Sequence, residues 1–94
     1  MQVGERENDK ITVEFFGPFR EFGKGLELPL AEDIGFEELV SRLEERFGEP
    51  FTQRAYMKNT TYILNNRVID RKGIGTIRIS AGDRFAFALV IGGG

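Results

Sequence analysis

The run Phe85-Ala86-Phe87-Ala88-Leu89-Val90-Ile91 is apolar throughout and leads directly into Gly92-Gly93-Gly94. A stretch with no polar face suits a strand covered on both sides, so it predicts a position in the middle of a sheet. Three glycines in a row offer no side chains to pack and lose the most backbone entropy on ordering, so the sheet is expected to stop at Ile91. Everything before this strand must then supply its neighbours and its cover.

The remaining pattern supplies both. Ile11, Val13 and Phe15 alternate with Thr12, Glu14 and Phe16, which predicts a half-buried strand ended by Gly17-Pro18. Leu26, Leu28 and Leu30 repeat the two-residue period, so residues 25–30 read as a hairpin partner after a turn-rich segment carrying Phe19 and Phe22. Phe36, Leu39, Val40, Leu43 and Phe47 then fall at helical spacing on one stripe. Gly35 and Asp33 compete as the N-cap, and Gly48 with Pro50 ends the helix. Its polar face (Glu37, Glu38, Ser41, Arg42, Glu44, Glu45) reads as solvated. No pattern is legible from Phe51 to Lys58. Tyr62-Ile63-Leu64 and Val68-Ile69 read as short strands about an Asn65-Asn66 turn. Asp70 to Ser80 reads as loop, and Ala81-Gly82-Asp83 as a second turn. Strands segregated from one main helix predict an α+β fold, with the helix packed across a mixed sheet of four to five strands. If the first and last strands are neighbours, the last lies mid-sheet.

Composition narrows the chemistry. In 94 residues there is no Cys and no His. This excludes a thiol nucleophile, a zinc site and a Ser-His-Asp triad. Thirteen basic and fifteen acidic residues, with no basic block, give a net charge of -2, so no nucleic-acid footprint is indicated. No apolar run approaches the roughly 20 residues of a membrane span, and no signal-peptide core is present, which makes a cytoplasmic protein the expectation. The organisation expected is a flexible arm over 1–9, one domain over 10–91 and a glycine tail over 92–94. The scattered acidic residues form no defensible catalytic pair, and no phosphate-binding G-x-x-x-x-G-K-[ST] motif is present, so the chain is not expected to be an enzyme.

The tail has its own geometry. Three extended residues reach about 10 Å, and without side chains they fit a slot too narrow for other residues. A thin arm with a carboxylate at its tip suits delivery of a carboxyl carbon into another protein's active site. Terminal glycines also occur in ends with no function.

From residue 10 to 94 the chain resembles the ubiquitin-like sulfur carriers, most of all the small subunit of molybdopterin synthase. Gly82-Asp83-Arg84-Phe85-Ala86-Phe87 through Gly93-Gly94 is similar to that family's "GDEVAFFPPVSGG"-like ending, with both dipeptides in register. Ile11, Val13, Phe15, Phe16, Arg20 and Glu21 match its "I-x-V-x-F-F-A-x-x-R-E-x-x-G" opening. Asn65 or Asn66 falls where the family carries an Asn before a short strand. Leu89-Val90 stands where the family has Pro-Pro, and Gly92 precedes the terminal pair. The thiamin-pathway carriers are similar too, but shorter between helix and final strand.

The resemblance implies a β-grasp fold and a chain that serves as substrate. The Gly94 carboxylate would be adenylated by an E1-like partner using ATP and converted to a thiocarboxylate that donates sulfur. Gly93 would thread the partner's channel and Gly92 would give slack. No bound cofactor and no metal are implied. The implied partners are the adenylating enzyme and a sulfur acceptor such as a molybdopterin synthase large subunit. With Phe85 and Phe87 packed against the helix, Phe16, Ala88 and Val90 would share the opposite face as a partner-binding patch. The alternative is that the 17–24 segment covers Phe16. Arg20, Lys24 and Arg67 are either ion-pair donors to a partner or solvated charges. Two rival readings keep the fold: a protein modifier joined through Gly94 to lysines, and an interaction module with an incidental tail. Carriers for thiamin, tRNA thiolation or another metabolite share the same chemistry.

Overall fold

A computed structural model describes residues 9–89 of the chain. The first strand, β1 (Lys10–Phe15), is followed by a 3-10 turn over Gly17–Phe22 and by β2 (Gly25–Pro29). Two helices follow, α1 (Phe36–Phe47) and α2 (Glu49–Ala55). The short strands β3 (Thr60–Leu64) and β4 (Arg67–Ile69), a second 3-10 turn (Arg71–Thr76) and β5 (Arg84–Leu89) complete the order. The strands form one mixed sheet in the order β2-β1-β5-β3-β4. β1 runs parallel to β5, with Val13 opposite Phe85 and Phe15 opposite Phe87. β5 pairs antiparallel with β3 on its other side, so it is the central strand that its composition demanded.

One face of the sheet carries the core. Ile11, Val13, Phe15, Tyr62, Phe85 and Phe87 point to it and are almost completely buried against Phe36, Leu39, Val40 and Leu43 of α1. Most of the rings meet at an angle, as their quadrupoles favour, while Phe15 and Phe19 stack at 6.4 Å. Phe85 and Phe87 lie 5.0 Å apart, and Phe36 meets Tyr62 at 4.7 Å. The first 3-10 turn adds fully buried Phe19, whose ring is 5.5 Å from that of Phe87.

Gly35 is the residue that precedes α1, and its carbonyl accepts from the Leu39 N–H at 3.1 Å. Gly48 ends α1 with φ of 88°, a conformation that favours glycine. The sequence reading missed what comes next. Pro50, read only as a stop, sits in the first turn of α2, where its missing N–H has no partner to lose. Phe51 and Ala55, one helical turn apart, are both fully buried, but two positions are too few to register as a stripe. The 70–80 passage also holds more order than a loop. Asp70 caps a 3-10 turn by accepting from the Lys72 N–H at 3.1 Å. Beyond it Ile79 is fully buried and bridges to Ile34.

Candidate functional site

The functional expectation rests on where β5 lets the chain go. Leu89, its last residue, pairs with Thr60 of β3. On the other flank Phe16 donates its N–H to the Phe87 carbonyl at 3.0 Å. Gly17 follows with φ of 61°, and a methyl placed there would stand 3.6 Å from the Leu89 carbonyl oxygen. The exit is thus a central strand end bordered by the start of the 3-10 turn and by the loop before β3. Val90, Gly92, Gly93 and Gly94 lie outside the described residues, as does most of the 1–9 arm. At the other end of the sheet the Asp9 carbonyl accepts from the Leu30 N–H at 2.7 Å.

Phe16 and Ala88 come together as the alternation predicted. Phe15 and Phe87 are opposite each other, so the next residue on each strand turns to the other face. Phe16 is 39% exposed, so the 17–24 segment covers it only in part. The Arg20 guanidinium lies 5.9 Å from its ring centre, and Arg20 Nε donates to the Phe15 carbonyl at 2.7 Å. Arg20 therefore holds the strand end rather than standing as a free charge. Lys24 and Arg67 are exposed. The open face continues through half-buried Ile63, opposite Ala86, to Val68 on β4, which is 71% exposed. Ala86 itself is buried, because a small side chain on a central strand is walled in by larger neighbours on both sides.

Two arginines that periodicity did not single out fix the loops around the exit. Arg71 Nη1 donates to the carbonyls of Met57 at 2.9 Å and Thr60 at 3.2 Å and to the Tyr62 hydroxyl at 3.2 Å. Its Nη2 reaches the Tyr56 carbonyl at 3.2 Å. Arg54 Nη1 donates to the Pro18 carbonyl at 3.1 Å and pairs with Glu21 Oε2 at 2.9 Å, tying α2 to the first 3-10 turn. The planar guanidinium, with donors in a fixed fork, serves several carbonyls at once where a lysine would not. Tyr62, whose hydroxyl donates to the Ala55 carbonyl at 2.6 Å, has its pKa pushed up by burial, against an opposing pull from Arg71. Burial also raises Tyr56, with Glu37 adding to the effect.

Among the described residues no cluster of three or more acidic, His or Cys side chains is placed to hold a metal ion. No helix there is long and apolar enough to cross a membrane. A groove of about 630 Å³ between β2 and α1 is lined by Leu28, Pro29, Glu38, Arg42, Glu45 and Arg46. Within it Arg42 pairs with Glu38 at 2.9 Å, and it lies toward the opposite end of β1 from the exit.

No protein-family model matches the sequence, and no curated protein matches it. The fold, however, has close parallels among solved structures. The HVO 2177 protein of Haloferax volcanii superposes with a TM-score of 0.71 at 18% identity, over 90% of this chain and 86% of that one. The thiamine biosynthesis protein ThiS of Geobacter metallireducens is 26% identical, with a TM-score of 0.59 over 90% of this chain and 99% of that one. A chain from the complex of subunits 1 and 2 of the molybdopterin-converting factor of Helicobacter pylori is 21% identical, with a TM-score of 0.60 and the same coverage. The resemblance read from the sequence thus has a structural counterpart: a five-stranded mixed sheet with a helix packed across it, the β-grasp fold of ThiS and of the converting-factor chain.

Proposed function

We propose that this chain is a sulfur carrier acting through the Gly94 carboxylate. The observation that carries the reading is the placement of β5. The most apolar strand lies at the centre of the sheet, and its C-terminal end emerges beside exposed Phe16, five residues before Gly94. The likeness to ThiS and to a chain of the molybdopterin-converting factor supports the same reading.

A carboxylate is a poor electrophile. An E1-like partner would use ATP to form the acyl-adenylate, releasing pyrophosphate, and a hydrosulfide-level sulfur nucleophile would then displace AMP to leave the thiocarboxylate. The carrier holds no cofactor of its own and acts as substrate in the cytoplasm. Gly93 and Gly92 thread the partner's channel, and Phe16, Ala88 and Val90 form the docking face. The favoured acceptor is a molybdopterin precursor held by a large subunit, following the match of the chain's ending to that family. Thiamin thiazole formation is the second reading, favoured by the 26% identity to ThiS.

Intact-mass measurement of the protein from its native host tests this. An oxygen-to-sulfur exchange at the C-terminus is the expected result. Adducts on lysines of other proteins would assign it instead as a modifier, and full cellular activity after deletion of Gly93-Gly94 would overturn both.

A further inference from the structure

The sheet ends in two unlike edges. β4 is three residues long, whereas β2 spans five and pairs only with β1. The Phe15 N–H donates to the Lys24 carbonyl at 3.0 Å, and the Leu30 N–H to the Asp9 carbonyl at 2.7 Å. Bonded positions alternate along an antiparallel pair, so Lys24, Leu26, Leu28 and Leu30 turn their backbone groups to β1. Gly25, Glu27 and Pro29 turn theirs to the open side. Pro29 has no N–H, and its carbonyl accepts from Arg42 Nη1 at 3.4 Å. Among the described residues, Gly25 and Glu27 thus form an unpaired edge of donors and acceptors.

The groove of about 630 Å³ runs beside this edge. α1 borders it antiparallel to β2. Arg42 reaches Pro29 at the end of the strand, while Phe47 packs on Phe22 at 5.4 Å, just before its start. Arg46, one turn beyond Arg42, therefore lies toward Leu26 and Gly25. Arg42 is already paired with Glu38. Glu45 and Arg46 are exposed and have no ion-pair partner among the described residues. Adjacent residues on a helix do not face each other, so neither satisfies the other.

We infer that the chain forms a two-fold dimer through the β2 edge, locked on the α1 side by Glu45 and Arg46. A second copy meets the edge, the groove and the unpaired charges together. With the β2 strands antiparallel about an axis at Leu26, Gly25 lies opposite the copy's Glu27 and Glu27 opposite its Gly25. Each of these pairs bonds in both directions. Leu26, half-buried at the margin of the core, meets its own counterpart. Glu27, paired with Lys10 at 3.0 Å, faces a glycine rather than another carboxylate. Glu45 reaches the copy's Arg46, and Arg46 its Glu45. A two-fold interface requires this reciprocity. The end of β5 stays two strands from the interface, so the dimer and the carrier reading stand or fall separately.

Sedimentation velocity of the full chain from about 1 μM to about 1 mM reads the dimer directly, and wild type should pass from monomer to dimer in that range. Arg46→Glu and Glu45→Arg each set like charges across the axis. Each should weaken the dimer at least about tenfold, equivalent to about 1.4 kcal/mol. An equal mixture of the two variants sets opposite charges across the axis again and should recover wild-type association. Circular dichroism and a melting curve check that both variants fold, and recovery in the mixture itself excludes misfolding. Val68→Asp, on the other edge of the sheet, should dimerise as wild type does. A wild type that stays monomeric throughout would overturn the dimer and leave the β2 edge to a strand of another protein. A dimer that both charge variants retain would place the contact elsewhere. Weakening without recovery in the mixture would remove the reciprocal pairing.

Discussion

Asn65 donates through Nδ2 to Asp83 Oδ1 at 3.0 Å although 18 residues separate them. Asn65 Oδ1 in turn accepts from the Arg84 N–H at 2.9 Å, so the β3–β4 turn is tied to the start of β5. Asn65 and Asn66 both have positive φ, 52° and 70°, as a two-residue type I′ hairpin requires. Asn tolerates that region better than most residues because its short amide bonds locally. The resemblance to the sulfur carriers marked an Asn here, and the structure supplies its reason: it joins two strands that the sequence separates.

Replacing Asn65 by Ala removes both side-chain bonds and leaves a methyl-bearing residue in a left-handed conformation. A loss of about 1–3 kcal/mol in urea unfolding is expected. Asn66→Gly should be neutral or slightly stabilising, since glycine suits positive φ and no side-chain bond of Asn66 holds another element. Equal losses in the two variants would contradict this division of roles.

Gly25 is fixed by the β1–β2 pairing. A Cβ there would overlap the Val13 carbonyl oxygen, and its φ of 152° disfavours any side chain. Gly25→Ala should destabilise the fold by more than about 2 kcal/mol, through both overlap and backbone strain. Gly73→Ala, where a Cβ meets nothing within 4 Å, should change the unfolding midpoint little.

Arg71→Ala breaks four donor contacts at once, to three carbonyls and the Tyr62 hydroxyl. About 1–3 kcal/mol is the expected loss, since charged donors make the stronger bonds. Hydrogen exchange should locate it, with faster exchange in residues 56–62 and little change in α1. A uniform rise across the chain would argue against a local clasp.

The tyrosines set the alkaline limit. Burial raises the Tyr62 pKa above its ordinary 10.0, so the folded state holds that proton more tightly than the unfolded chain does. The resulting stability is fully present below pH 10 and is lost as pH rises through the folded value. Urea midpoints should therefore hold constant to about pH 10 and fall above it. In Tyr62→Phe the stability at neutral pH should be lower, because the Ala55 carbonyl loses its donor. Its alkaline decline should also be shallower, with the remainder belonging to Tyr56.

Gly93→Ala should lower formation of the C-terminal thiocarboxylate in the native host, by excluding the tail from a channel sized for glycine, while the melting temperature stays at the wild-type value. A tag fused after Gly94 should abolish the exchange altogether. Intact mass reads the first effect and a thermal melt the second; a tagged protein that still exchanges oxygen for sulfur would refute the mechanism.

Most of the scaffold was legible because each strongly periodic segment is amphipathic on its own. Phe36, Leu39, Val40 and Leu43 announced α1 and are its buried residues, and the alternation from Ile11 to Phe16 sorted Phe15 inward and Phe16 outward. Illegible segments were those whose order comes from elsewhere. Helix α2 hides two apolar positions behind a proline that reads as a stop and in fact sits in its first turn. The 70–80 passage is organised by Asp70, Arg71 and the bridge from Ile79 to Ile34, none of which has a period.

By itself the sequence determined that a fully apolar strand must lie inside the sheet, that one helix must cover it, and which of Phe15 and Phe16 faces the core. Those outcomes follow from local periodicity and from the cost of leaving apolar surface in water. Only the tertiary structure decided what surrounds the end of that strand. Thr60 opposite Leu89 and Arg71 across three carbonyls are contacts between segments far apart in the chain. Such contacts arise when the strand order β2-β1-β5-β3-β4 closes, and no single segment encodes them.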